Sequence, residues 1–252
     1  MFRLRKRRGV AKQPSTAKNS RVYAVGDIHG RLDLLQDMLK QVKKDLKSHT
    51  GKSQFVLLGD YIDRGPASAK ILDLLITGDL PCDEVVCLRG NHEDAMLGFA
   101  HGDQSAKNWL QFGGVETLES YGLAVTKYLC SDDDPAPDVR KAMKKVVPKK
   151  HFQFLEELRF HHVNGDYLFV HAGVRPDIPL PAQQLEDMMW IREDFLKHKK
   201  PFERFIVHGH TISAEPDIQP NRIGIDTGAY KTGTLTCLVL EGKEQRFLSA
   251  RC

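Results

Sequence analysis

No apolar run in this 252-residue chain approaches the ~20 residues needed to cross a bilayer as a helix. Cysteine is sparse and unpaired in pattern. The five (Cys82, Cys87, Cys130, Cys237 and Cys252) are odd in number and never spaced C-x-x-C, which argues against a disulfide framework or a thiolate zinc site. Cys82 and Cys87 read as small buried or half-buried residues, and a reducing cytoplasm is the expected setting. Acidic residues are missing from positions 1–20, where Arg3, Arg5, Lys6, Arg7, Arg8, Lys12 and Lys18 stand unopposed. That stretch also lacks the apolar segment of a secretory signal. It reads as a basic, solvated, disordered tail, with anionic lipid or nucleic acid as the partners its charge could attract.

The net charge of +4 belongs to that tail. Of 37 Lys and Arg, seven lie in residues 1–20, so the remaining 30 face 33 Asp and Glu, a balance of −3. A mildly acidic body is not the charge distribution of a nucleic-acid binder, and no nucleic-acid partner is expected. The composition, 41% hydrophobic and 28% charged, is that of a globular protein. Residues 21–252 are expected to form one α/β domain, with 101–150 as a helical cap containing the polar loop SDDDPAPD. Oligomeric state is not legible.

What is present is a repeated strand, loop and helix. RVYAV leads into GDIHG, and Leu32, Leu35, Leu39, Val42 and Leu46 then recur at spacings of three and four, an amphipathic helix. QFVLL, GDYIDRG and AKILDLLIT repeat the order, as do EVVCL, RGNHE and AMLGFA. Such repetition predicts βαβ units and a parallel sheet. HFQFLEEL reads as a helix and DYLFV as a strand. Short strands at RFIV, NRIGID and TLTCLVLEG then form a second sheet or extend the first.

Polar residues collect where these strands end. Asp27 and His29 follow the first strand, Asp60 and Asp63 the second, and Asn91 and His92 the third. His171 follows YLFV and His210 follows RFIV. One such motif could be a helix cap or a satisfied core histidine. Five at strand ends point to a ligand site, because open α/β sheets bind ligands at the carboxyl ends of their strands. Carboxylate, imidazole and amide oxygen without thiolate suit Mn²⁺, Fe²⁺ or Zn²⁺. Two Asp, one Asn and three His exceed the needs of one tetrahedral zinc but suit two divalent ions ~3.5–4 Å apart sharing a carboxylate.

At GDIHG (26–30), GDYIDRG (59–65), RGNHE (89–93), WIRE (190–193), HAG (171–173) and HGHT (208–211), the chain resembles the calcineurin-like metallophosphoesterases. Within them it is similar to the bacterial and phage serine/threonine protein phosphatases. The resemblance implies an α/β/β/α sandwich with metals at the strand C-terminal ends. It implies that Asp27, His29 and Asp60 hold one ion, and that Asp60 bridges to a second held with Asn91, His171 and His210. Water activated between the ions would attack phosphorus, His92 would protonate the leaving group, and Asp63 would orient His92. Arg64 and Arg192 would bind the phosphoryl oxygens. Manganese is the expected ion. His208 reads as structural rather than a ligand, and Tyr230 as a residue bordering the pocket or simply packed. Ile212 stands where many nucleases of the superfamily carry a further histidine. The function so implied is hydrolysis of phosphoserine and phosphothreonine, with phosphoprotein or a small phosphate ester as substrate. The alternative is symmetrical hydrolysis of bis(nucleosyl) tetraphosphates, whose enzymes share the metal motifs.

Overall fold

The computed structural model describes residues 13–103, 107–128 and 134–252. Most of the basic tail, Cys130 and the first three residues of SDDDPAPD lie outside the described residues.

The first half alternates as its periodicity predicts. β1 (Ser20–Val25) leads to α1 (Leu32–Leu46), β2 (Lys52–Leu57) to α2 (Ser68–Thr77), and β3 (Glu84–Cys87) to α3 (Asn91–His101). α4 (Gly114–Ser120), α5 (Ala136–Val146) and α6 (Lys149–Glu156) follow, with a 3-10 turn at Lys107–Phe112 before them. The second half brings β4 (His161–Asn164), β5 (Tyr167–Val170), α7 (Leu185–Trp190), α8 (Glu193–Leu196) and β6 (Phe205–His208). It closes with β7 (Asp217–Ile218), β8 (Arg222–Gly224), α9 (Ala229–Thr232), β9 (Thr234–Glu241) and β10 (Glu244–Arg251).

Among the described residues two five-stranded sheets result, ordered β10-β9-β1-β2-β3 and β4-β5-β6-β8-β7. β1, β2 and β3 run parallel, as do β5, β6 and β8. β9 joins β1 antiparallel, so the last long apolar run extends the first sheet. Its alternation explains the placement: Leu235, Cys237 and Val239 enter the layer under the helices, while Leu238 and Leu240 enter the layer between the sheets.

The inter-sheet layer packs Val22, Ala24 and Val56 against Phe169, Val207 and Ile223. Burying each Val, Ile or Phe side chain there stabilises the fold by ~1.5–3 kcal/mol. On the outer face of the first sheet, α1 buries Leu34, Leu35, Met38 and Val42, with Leu32, Leu39 and Leu46 flanking them. Trp109, Leu118, Val139 and Met143, from the segment expected as a cap, join the same cluster. Leu168, Met188, Phe195 and Ile206 cover the other face of the second sheet. The architecture is an α/β/β/α sandwich.

Two details depart from the composition. The chain is tied down before Ser20: Ser15 N donates to Asp166 Oδ2 at 3.1 Å, Thr16 N to Gly242 O at 2.9 Å and Ala17 N to Asn164 Oδ1 at 2.8 Å. Backbone hydrogen bonds of this kind leave no trace in side-chain polarity. The third helix also begins at Asn91, inside RGNHE. Glu93 Oε2 accepts from Gly90 N at 2.9 Å, satisfying an N–H that the helix leaves unpaired.

Candidate active site

The parallel strands of both sheets end at one edge. There Gly209 N donates to His171 O at 2.8 Å, and His210 N donates to Asp27 Oδ2 at 3.0 Å across the sheets. The turns at this edge are tight. Among the described residues, seven non-glycine residues have positive φ, and His29, Asp60, Asp63, Arg64 and His210 are five of them. Backbone strain concentrated this way is found where surrounding structure holds functional groups in place. A Cβ on Gly209 would lie 2.1 Å from Asp27 Oδ1, so only glycine allows that carboxylate to approach.

Asp60 stands at the centre. Its Oδ2 lies 3.5 Å from His29 Nε2 and 3.9 Å from His92 Nε2, and its Oδ1 lies 3.5 Å from His171 Nε2. Asn91 Oδ1 is 2.9 Å from His171 Nε2 and 2.8 Å from His210 Nδ1. Asp60, His171 and His210 therefore converge with Asn91 beside them, and Asp60, His29 and His92 converge on the other side. Asp27 is not in either cluster. Its carboxylate accepts from His210 N and meets the carboxyl of Asp226.

The electrostatics favour added positive charge. Burial lowers His29 to about 3 and His210 to about 2, and lowers His171 too, so these imidazoles present lone pairs. Burial opposes the Asp60 carboxylate, but His171, His92 and His29 outweigh it and hold it ionised. Burial, Asp226 and Asp60 push Asp27 well above its ordinary value, and burial raises Asp226 to about 6. His210 Nε2 is buried without a hydrogen-bond partner among the described residues. An orphaned imidazole nitrogen, neutral histidines and a crowded set of carboxyls form a donor set that fits divalent cations.

His92 and Asp63 form a second unit. His92 Nδ1 lies 2.6 Å from Asp63 Oδ2. Asp63 is buried, and that burial raises it, while His92, Thr117 and Trp109 work in the opposite direction. Trp109 Nε1 donates to Oδ2 at 2.8 Å and Thr117 Oγ1 to Oδ1 at 2.6 Å. Burial disfavours His92 imidazolium, but Asp60 and Asp63 outweigh it and raise His92. Arg64 Nη1 donates to His29 Nε2 at 2.9 Å and Nη2 to His92 Nε2 at 3.0 Å, with the guanidinium 4.7 Å over Tyr230. Tyr230 also meets the His29 ring edge-on at 5.2 Å, which puts it at the pocket. Arg192 caps α8 at the rim, 3.5 Å from Thr211 Oγ1, and its charge reaches His171 and His210. His208 faces away: Arg222 Nη1 is 3.2 Å from its Nε2, and its ring packs on Phe195 at 5.0 Å.

Sequence reasoning missed Trp109, Thr117 and Glu93. Glu93 Oε2 accepts from Asp60 N at 2.8 Å and Oε1 from Tyr61 N at 2.8 Å, so it sets the turn that carries Asp60. Burial, reinforced by the Asp60 charge, pushes its carboxyl up to about 8. Its signal was the spacing of Gly90 and Glu93 at a helix start. Trp109 and Thr117 carried no local signal.

Residues 20–232 match the calcineurin-like phosphoesterase family, and the chain belongs to that family. It is a metal-dependent phosphoesterase. It is 26% identical to the asymmetrical bis(5'-nucleosyl)-tetraphosphatase PrpE of Oceanobacillus iheyensis, over 89% of this chain and 90% of that protein. Among solved structures, a "putative diadenosine tetraphosphatase" aligns with a TM-score of 0.60 at 20% identity, covering 94% of this chain and 98% of the other. A cold-active protein-tyrosine phosphatase of a psychrophilic Shewanella aligns with a TM-score of 0.56 at 16% identity, covering 96% and 85%. These structural likenesses establish the fold. No helix among the described residues is long and apolar enough to cross a membrane.

Proposed function

We propose that the protein is a phosphomonoesterase acting on phosphoserine and phosphothreonine in proteins, through two divalent ions, manganese first among them. The observation that carries this reading is the His92–Asp63 pair at 2.6 Å, with Trp109 and Thr117 fixing the carboxylate behind it. A serine or threonine alkoxide is a strongly basic leaving group and needs a proton in the transition state. A nucleotide leaving as a phosphate anion is weakly basic and needs none. An imidazole held by a buried carboxylate serves the first reaction and is superfluous in the second.

Asp27, His29 and Asp60 would hold one ion, and Asp60, Asn91, His171 and His210 the other. Asp60 already turns one oxygen to each histidine group. Bound there, the ions supply Lewis acidity and water acidic enough to act as nucleophile at neutral pH. The remaining steps belong to side chains. Arg64 and Arg192 receive the phosphoryl oxygens, since a guanidinium matches that geometry and the charge of the transition state. When Arg64 turns from His92 Nε2 to phosphate, that nitrogen is free to carry the proton that the leaving oxygen takes.

The names of the relatives favour a second reading, hydrolysis of dinucleoside tetraphosphates. Those names specify asymmetrical cleavage, whereas the motifs alone suggested the symmetrical reaction. A matched panel tests both: a phosphoserine peptide, p-nitrophenyl phosphate and diadenosine tetraphosphate, each with Mn²⁺ and with chelator. Manganese-dependent turnover of the peptide supports the proposal. Turnover of the dinucleotide alone contradicts it.

A further inference from the structure

A cleft of about 690 Å³ opens between α3, α7 and the turn at Lys107–Phe112. Trp109, which bonds Asp63, forms part of its wall. Two features set it apart. Phe112 and Trp190 stand on its walls 58% and 43% exposed, unusual for large aromatics. Its described lining is acidic, with Asp94, Glu156 and Glu186 among the residues that form it. Arg89, also in the lining, pairs with one of these acids: its Nη1 lies 3.7 Å from Asp94 Oδ1, while its Nη2 donates to the carbonyls of Leu155 at 2.8 Å and Glu156 at 3.0 Å and its guanidinium packs over Phe160 at 5.1 Å. His101 Nε2 lies 3.7 Å from Glu156 Oε1, and the carboxylates of the lining still outnumber its one arginine.

The aromatics are tied to the phosphate-binding arginines through the chain. Phe112 precedes Gly113, whose carbonyl accepts from Arg64 N at 3.3 Å. Trp190 ends α7, two residues before Arg192. Short chain links, Phe112–Gly113 on one side and Trp190–Arg192 on the other, thus join the walls of this cleft to the two arginines.

An aromatic and acidic surface suits one kind of occupant. Guanidinium stacks on indole and phenyl faces and pairs with carboxylate. A polyphosphate or second nucleotide phosphate would meet negative charge. We infer that the cleft binds arginine side chains flanking the phosphoserine or phosphothreonine of the substrate protein, making Phe112, Trp190 and Glu186 specificity-determining residues. The inference rests on the protein-phosphatase reading above.

The test uses the full chain with Mn²⁺ and phosphoserine peptides that differ only in flanking residues: arginine, alanine or glutamate. The arginine peptide should be favoured over the alanine peptide by about 10-fold in kcat/KM, the glutamate peptide should be poorest, and added salt should shrink the spread. Trp190→Ala and Glu186→Lys, each normalised to its own turnover of p-nitrophenyl phosphate, should bring the arginine-to-alanine ratio close to unity. Phosphopeptide turnover indifferent to flanking charge would overturn the cleft assignment and leave the phosphatase reading standing. A preference that persists in both variants would also overturn it. Turnover of diadenosine tetraphosphate with none on any peptide would remove both.

Discussion

His92 Nδ1 sits 2.6 Å from Asp63 Oδ2, and the same oxygen accepts the Trp109 indole N–H at 2.8 Å. One buried carboxylate oxygen thus serves an imidazole and an indole together. The indole is a positioning group for the pair. Trp109→Phe keeps an aromatic ring against Phe99, 5.2 Å away, and deletes the donor. Losing one hydrogen bond to a buried charge costs ~1–3 kcal/mol, so kcat on a phosphoserine peptide should fall by about 10-fold. KM and Mn²⁺ affinity should stay near wild type in steady-state kinetics and metal titration. An equal loss of metal affinity would mean that the indole only supports the fold.

Replacing His92 by asparagine separates proton donation from the rest of the chemistry. General acid catalysis contributes ~10²–10⁴-fold, so His92→Asn should lose that much on phosphoserine. The loss on p-nitrophenyl phosphate should be smaller, because nitrophenolate leaves without a proton. Comparing kcat for the two substrates checks this. Equal losses would point to His92 acting on the attacking side or on the cations, which its place beside His29 and Asp60 would allow.

Glu93 supports the turn that carries Asp60, through hydrogen bonds to Asp60 N, Tyr61 N and Gly90 N. Glu93→Gln has nearly the same shape but sets an NH₂ group against backbone N–H donors. The mismatch should cost ~1–3 kcal/mol of stability. Thermal unfolding should move to lower temperature, and weaker Mn²⁺ binding should accompany it as Asp60 loosens. Unchanged metal affinity in a destabilised variant would confine Glu93 to the fold.

Much of the site was legible because its signals are local. A strand end, a glycine and a polar residue occupy five or six positions, and GDIHG, GDYIDRG and RGNHE each carry all three. What was hidden depends on distant contacts. Trp109 and Thr117 reach Asp63 from 46 and 54 residues away. Nothing near either residue announces that contact. Asp226 meets Asp27 only because β8 and β1 lie in sheets packed face to face. The same limit applied to the fold. TLTCLVLEG was readable as a strand, but its place beside β1 follows from burial on both faces. Ser15, Thr16 and Ala17 looked like tail because each is held through its backbone N–H.

Metal binding should release protons from the carboxyl pair. Asp27 is raised well above its ordinary value by burial, Asp226 and Asp60, and burial raises Asp226 to about 6. Both shifts mean that, as pH falls into the pair's range, the metal-free protein takes up a proton which a cation must displace. His29 and His210, lowered by burial, have none to give near neutrality. Mn²⁺ affinity should therefore weaken as pH falls through the pair's range and level off above it. Calorimetry in buffers of different ionisation enthalpy should detect the released proton, and Asp226→Asn should reduce it.

The central claim is that Asp60 joins two cation sites, with Oδ2 toward His29 and Oδ1 toward His171. Equilibrium Mn²⁺ binding to the full chain tests it most directly. Two ions per chain are predicted for the wild type, with Asn91→Ala weakening one and Asp60→Asn weakening both. A single ion in the wild type, or an Asp60→Asn variant that still binds two with unchanged affinity, would contradict the account.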